Sequence, residues 1–181
     1  MPGPVFVRDD RVELRPIEDE DRPHLQRVRN DPQTRVSAGG PPEPFDEHEM
    51  DDYMEWLRAD DTVALAICRD GEYVGMVTLK RISRPDDTAN AGVHVVPDER
   101  GNGYATAACE LLFDYAFDEL GLHRICAYAY EFNDPSQSLL EKLGFTHEGV
   151  RREARFARGS RHDVHTYGLL AREWRERRQA G

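Results

Sequence analysis

The chain has 181 residues, of which 35 are acidic and 24 basic, giving a formal net charge of −11. At roughly 100–200 residues per domain this predicts one domain over 1–181, long enough to bury about 70% of the unfolded chain's surface. So acidic a chain is not expected to bind nucleic acid or an anionic membrane non-specifically, because both need a cationic face.

No apolar run approaches the roughly 20 residues of a membrane-spanning helix. Met1 to Val7 lacks a basic stretch followed by an apolar one, so no secretory signal is expected, and the predicted location is cytoplasmic. Cys68, Cys109 and Cys126 sit in apolar segments without a C-x-x-C pair, which reads as reduced, buried thiols. Lysine occurs only at positions 80 and 142, while arginine and carboxylates are abundant. This composition resembles that of acidic, salt-adapted proteins.

In chain order, Val5–Pro16 alternates like a strand and Ile17–Asn30 has helical spacing, with Leu25 and Val28 on one side. Asp31–Pro44, with Gly39, Gly40, Pro41, Pro42 and Pro44, reads as a loop. A helix start comes next. Asp46 and Glu49 form a capping-box pattern, Phe45 and Met50 a hydrophobic staple, and Met50, Tyr53, Met54 and Leu57 a stripe suited to core packing. Thr62–Arg69 and Glu72–Ile82 are strands around the Asp70-Gly71 hairpin signal. Ala91–Val96 is a strand and Gly103–Leu120 a helix, with Gly121 at its C-terminus. Arg124–Tyr130 is a strand. Asp134 as cap and Pro135 as first residue open a short helix closed by Gly144. Phe145–Phe156 and Arg161–Leu170 are a last pair of strands, and the basic stretch 151–181 reads as solvated strand and terminus rather than a nucleic-acid site. The order predicts an α+β fold, a mixed and mainly antiparallel sheet of six to seven strands with helices on both faces.

The segment from Val93 to Ala105 carries the chemical signal. A strand ends, a turn containing Arg100, Gly101, Asn102 and Gly103 comes after it, and a helix begins at Tyr104-Ala105-Thr106. Helix N-termini expose unpaired N–H groups and partial positive charge, and glycines let a ligand approach the backbone, so the pattern suits a phosphate. It is neither a P-loop nor a G-x-G-x-x-G dinucleotide motif, which counts against a nucleotide-binding protein.

A second block, Asn133-x-x-Ser136 followed by Leu140-Glu-Lys-Leu-Gly-Phe145 and Glu148-Gly149, stands downstream. With Arg100–Thr106, Leu120-Gly-Leu-His-Arg124, the opening Leu14-Arg-Pro16 and the closing Tyr167-Gly-Leu-Leu-Ala-Arg-Glu-Trp174, the chain resembles the GCN5-related N-acetyltransferases, in the branch typified by RimJ and RimL. The resemblance implies acetyl-CoA as co-substrate and direct attack by an amine, without a covalent enzyme intermediate. Its pyrophosphate would lie on the amides of Arg100, Gly101, Asn102, Gly103, Tyr104 and Ala105 beside Thr106, with the Arg100 side chain bracing the turn. A backbone N–H near Val95 or Val96 would hold the thioester oxygen. Asn133 would contact the pantetheine arm and Ser136 would lie near the sulfur.

Two positions depart from the wider family. Leu140 stands where many members have a tyrosine acid, leaving Ser136 either as its substitute or as a helix-capping residue. Asn90 stands where many branch members have glutamate, leaving His94 either as base, by its ordinary pKa, or as a structural residue. A site without a strong base suits an α-amino acceptor on a peptide or protein, since its amine is roughly 10–15% neutral at pH 7 against about 0.04% for lysine. A small amine such as an aminoglycoside or polyamine, and a non-catalytic acetyl-CoA sensor, are the competing readings. The Asp31–Pro44 segment, Trp56 and the Arg151–Arg161 hairpin are candidates for the acceptor groove, with Trp56 equally readable as a packing residue. The histidines at 48, 123, 147, 162 and 165 show no metal-ligand spacing, so no metal is expected. The branch is compatible with a homodimer, for which the sequence singles out no edge.

Overall fold

The computed structural model describes residues 3–40 and 42–180. Met1 and Pro2 of the N-terminal reading, Pro41 of the predicted loop and Gly181 lie outside the described residues. Those described form eight strands and six α-helices, a mixed α+β fold whose ladders are mainly antiparallel, with a parallel one between β5 (Thr88–Val95) and β6 (Arg124–Tyr130). Two compact units emerge. One takes the residues up to Lys80 together with Gly92–Leu112, the other Arg81–Ala91 together with the residues from Phe113 onward. Among the described residues no helix is long and apolar enough to cross a membrane.

In the first unit, β1 (Val7–Arg8), β2 (Glu13–Pro16), β3 (Val63–Arg69) and β4 (Glu72–Ser83) pair antiparallel in that order. The predicted first strand is thus two, which raises the strand count above six to seven. The cause is local: the Asp9 carboxylate accepts from the amides of Arg11 and Val12 at 2.8 Å each and folds the chain into a turn. The β3–β4 hairpin turns at Asp70 and Gly71, both at positive φ (51° and 83°), as the Asp-Gly pair predicts.

Helix α3 (Glu47–Leu57) is built as its sequence predicts. Asp46 accepts from His48 and Glu49 N–H, and Glu49 accepts in return from Asp46 N–H at 3.0 Å. Phe45, Met50, Met54 and Leu57 are buried with Leu25 and Val28 of α1 (Arg22–Asn30) and with Ala66, Cys68, Tyr73 and Met76 of β3 and β4.

The predicted loop between these helices is a correction. Pro32–Ala38 forms helix α2, capped by the Asp31 carboxylate on Thr34 N–H at 2.7 Å, with Pro32 in the first turn and Gly39 at φ 75° closing it. The glycines and prolines that suggested a loop cluster only from Gly39 on. Asn30 ties the start of α3 back to α1, its amide donating to Phe45 O at 2.7 Å and its oxygen accepting from Phe45 N–H at 2.9 Å.

In the second unit, β6 pairs with β8 (Ser160–Leu170), and β8 with β7 (Thr146–Ala157), both antiparallel. The parallel ladder joins Thr88, Ala89 and Asn90 of β5 to Arg124, Ile125 and Cys126 of β6. Arg124 on β6 grips Glu148 on β7 with both guanidinium nitrogens, one at 2.8 Å. Gly168 of β8, which pairs with Cys126 on one side and Thr146 on the other, lies beneath this fork.

Two helical features differ from the sequence reading. Helix α4 (Tyr104–Asp114) does not run regularly to Leu120; Tyr115–Glu119 widens into a π-turn, with Leu120 N–H reaching Tyr115 O at 3.0 Å. The terminus of the basic stretch read as solvated is helix α6 (Ala171–Ala180), whose Trp174 is 1% exposed against Phe113 and Phe117.

Candidate acetyl-CoA and acceptor site

The turn that carried the sequence signal belongs to the first unit. Strand β5 ends at Val95, a short 3-10 turn covers Pro97–Glu99, and α4 starts at Tyr104. Gly101 and Gly103 have φ of 86° and 80° with open space where a Cβ would stand. Their need for glycine is therefore conformational rather than steric. Asn102 steadies the turn by donating to Glu99 O at 3.2 Å. Gly103 O accepts from Ala107 N–H at 3.1 Å, so the amides of Tyr104, Ala105 and Thr106 precede the first helical bond and can serve an anion.

Arg100 turns back onto the protein. Its Nε donates to Val95 O at 3.1 Å and its Nη2 to the Thr34 hydroxyl at 3.2 Å, the bracing role expected of it. Burial works to raise the Asp31 carboxyl, but the Thr34 N–H and hydroxyl and the Arg100 charge outweigh it and hold the group below the ordinary carboxylate range.

Val96 N–H is not available to a thioester, because it donates to Val74 O of β4 at 2.9 Å. An extended chain sends successive amides to opposite edges, so of the two predicted donors Val95 is the one turned away from Val74.

His94 is also altered by its surroundings. Burial, with the charges of Arg29 and Arg100, pushes it down from 6.5 to about 4. The ordinary pKa that suited it to proton transfer at pH 7 does not apply, and the ring is neutral there. Its Nε2 lies 3.2 Å from the Tyr73 hydroxyl, whose own pKa is raised well above 10 by burial.

This depressed pKa makes stability depend on pH. The unfolded chain binds more protons than the folded one between about pH 6.5 and 4, so stability is lost as pH falls through that window, by at most about 3 kcal/mol. Urea unfolding from pH 7 to 4 is expected to show a shallower acid limb for His94→Gln than for the wild type. Parallel limbs would assign the acid loss to other groups.

Asn133 and Ser136 belong to the second unit, at the start of α5 (Asp134–Lys142). The cap is Asn133, whose Oδ1 accepts from Ser136 N–H at 3.3 Å, rather than Asp134 as the sequence suggests. Asp134 and Pro135 are the first two helical residues. The Ser136 hydroxyl is thus not required for the cap. Leu140 is buried, at 8% exposure. Cys68 and Cys109 are buried, which raises their thiols to about 11 and 12, and Cys126 is half-buried, receiving Arg124 Nε at 3.3 Å. Among the described residues no group of three or more metal-ligating side chains is assembled.

Sequence reasoning passed over Arg29, Asn30 and Tyr73. Arg29 lies over the rings of Phe45 and Tyr53, and Tyr53 stacks on Trp56 at 5.5 Å, so Trp56 joins an aromatic row on α3. The sequence signal for Arg29 and Asn30 is the polar run Arg29-Asn30-Asp31 directly before Pro32.

Residues 11–146 match the family described as acetyltransferase (GNAT) domain. A putative ribosomal N-acetyltransferase, YdaF, of Bacillus subtilis is 37% identical over 105 residues, covering 58% of this chain and 57% of that protein. The chain spans a little over half the length of this and the next curated relatives. The spermidine N(1)-acetyltransferase of Escherichia coli K12 is 30% identical over 140 residues, covering 76% of this chain and 74% of that protein. Among solved structures, Mycobacterium smegmatis RimJ in complex with CoA-disulfide superimposes with a TM-score of 0.75 at 26% identity, covering 90% of this chain and 83% of that one. With three quarters of its length inside the matched family and a turn of the expected build at the expected place, the chain belongs to the GNAT acetyltransferase family.

Proposed function

We propose that the protein moves an acetyl group from acetyl-CoA to a primary amine, the α-amino group of a peptide or protein. The observation that carries this reading is the strand-to-helix turn at Gly101 and Gly103, within the matched family segment. The amides of Arg100 to Ala105, with Thr106 beside them, hold the pyrophosphate; Val95 N–H receives the thioester oxygen; Asn133 serves the pantetheine arm. The amine lone pair forms the new C–N bond as the C–S bond breaks. The leaving thiolate takes a proton from the Ser136 hydroxyl, and the surplus proton of the acylated nitrogen passes to solvent and restores Ser136. With Asn90 in place of a carboxylate and His94 held near 4, no strong base serves the amine, which favours an acceptor that is already partly neutral at pH 7.

The kinship with a spermidine acetyltransferase supports a second reading, a small polyamine acceptor. CoA release over a panel of N-terminal peptides, spermidine and aminoglycosides separates the two. Turnover of peptides is the expected result, with Ser136→Ala lowering kcat by about 10²-fold. Faster turnover of spermidine than of every peptide overturns the acceptor assignment. Binding of acetyl-CoA with no turnover on any amine favours a sensor.

The acidic, lysine-poor composition supports adaptation to salt. The expected result is a melting temperature that rises as KCl goes from about 0.1 to 2 M, because salt screens self-repulsion. A flat or falling curve removes that reading.

A further inference from the structure

Among the described residues of the first unit Arg27, Arg29, Arg35 and Arg100 form no ion pair, and of these only Arg29 has a buried Nε without a partner and lies over aromatic rings. In the same unit Arg11, Arg15, Arg22, Arg58 and Arg69 each have a carboxylate within ion-pair distance. Arg29 has none among the described residues, and its Nε is buried without a hydrogen-bond partner. Its guanidinium instead lies over two rings that meet edge to face, 5.1 Å from the centroid of Phe45 and 5.0 Å from that of Tyr53. Aromatic faces hold a cation in place but do not replace the hydrogen bonds it gave up to water. The Arg29 side chain is half-buried, and a guanidinium fixed in place with no carboxylate beside it is free to pair with one from outside.

The position of Arg29 limits what that partner is. Val96, next to Val95, packs on the apolar cluster that contains Phe45 and takes in Tyr53, so the guanidinium over these two rings stands on the side of the assigned donor site where the acyl group would lie. The phosphates of the donor belong at the other end, on the Gly101–Thr106 turn. The acetyl end of acetyl-CoA carries no charge. An anion beside Arg29 therefore comes with the acceptor. The one buried carboxylate of the region, Asp21, is engaged by Glu18 N–H at 2.9 Å.

We propose that Arg29, framed by Phe45 and Tyr53, binds a carboxylate carried by the acceptor close to its reactive amine, so that the preferred acceptor is a peptide N-terminus with an aspartate or glutamate next to it. Guanidinium and carboxylate match as a planar, two-point pair, which lysine cannot reproduce. This inference rests on the acyltransferase reading above.

The test is acetyl transfer to three peptides that differ only at the second residue, Asp, Asn or Lys, with spermidine as a fourth acceptor. The wild type is expected to favour the Asp over the Asn peptide by at least about tenfold in kcat/KM, with the Lys peptide and spermidine lower still. Arg29→Gln is expected to bring the Asp-to-Asn ratio to about one, and Arg29→Lys to recover only part of it. A ratio is read, so a variant of lowered stability still reports. Equal rates on the Asp and Asn peptides by the wild type, or a preference that survives Arg29→Gln, overturns the assignment of Arg29 while leaving acetyl transfer in place. Absence of turnover on all four acceptors, with or without acetyl-CoA binding, overturns both.

Discussion

Replacing Trp174 by alanine is expected to cost about 3–5 kcal/mol, the usual range for emptying a buried aromatic site, and so a large part of the roughly 5–15 kcal/mol that holds a domain folded. The indole is 1% exposed. It meets Phe113 edge-on at 5.6 Å and Phe117 at 6.4 Å, and its Nε1 donates to Asp114 at 2.8 Å. Phe117 sits in the π-turn after α4, and Arg175 of α6 donates to the Phe117 carbonyl at 3.0 Å, so α6 closes the irregular end of α4 as well as filling its apolar face. Thermal and urea unfolding check this. Trp174→Phe keeps most of the packing but leaves Asp114 to Arg178 alone, and its expected cost is nearer 1–2 kcal/mol. An alanine variant within about 1 kcal/mol of the wild type would show that α6 is not part of the core.

Gly75→Ala is expected to damage both stability and turnover. A Cβ at this position of β4 would stand 2.3 Å from His94 O and 3.1 Å from Val95 Cα. Both are backbone atoms of β5, so no rotamer change relieves the clash and the strand itself must move. Overpacking of this kind costs about 1–3 kcal/mol, sometimes more. The strand that moves is the one assigned to present Val95 N–H to the thioester, and a misplacement of about 1 Å in a reacting group can cost 10²-fold in rate. Melting temperature and kcat measured on one preparation should fall together, with kcat down at least about tenfold. Wild-type kcat in a destabilised variant would mean that Val95 is not the donor.

How far the sequence could be read depended on whether the deciding interactions are local. Helix α3 was legible because its capping box and staple lie within six consecutive residues, Phe45 to Met50. The β3–β4 turn was legible because Asp-Gly settles its own backbone. The Gly101–Gly103 turn was legible for the same reason. Helix α2 was obscured by the glycines and prolines that come after it. Helix α6 was missed because it presents only Ala171 and Trp174 as buried residues among arginines, too few for a period to show; the local hint was Glu173, which accepts from Leu170 N–H at 2.9 Å. The proposed acceptor side was least legible. The surroundings of Arg29 and the depressed pKa of His94 arise where α1, the segment before α3 and β5 meet, and no spacing along the chain encodes that.

The Arg124–Glu148 fork over Gly168 bears on how the strands find their alignment. A Cβ at Gly168 would fall 2.5 Å from both Arg124 Nη2 and Glu148 Oε1. Moving β8 by one residue would bring Tyr167 or Leu169 beneath the fork in place of Gly168, and would turn every side chain of the strand to the opposite face. Shifted pairings of β6, β8 and β7 are thus penalised twice, by lost burial and by a displaced charge pair. A single glycine works as a keyway, through which β6 and the β7–β8 hairpin lock at one setting.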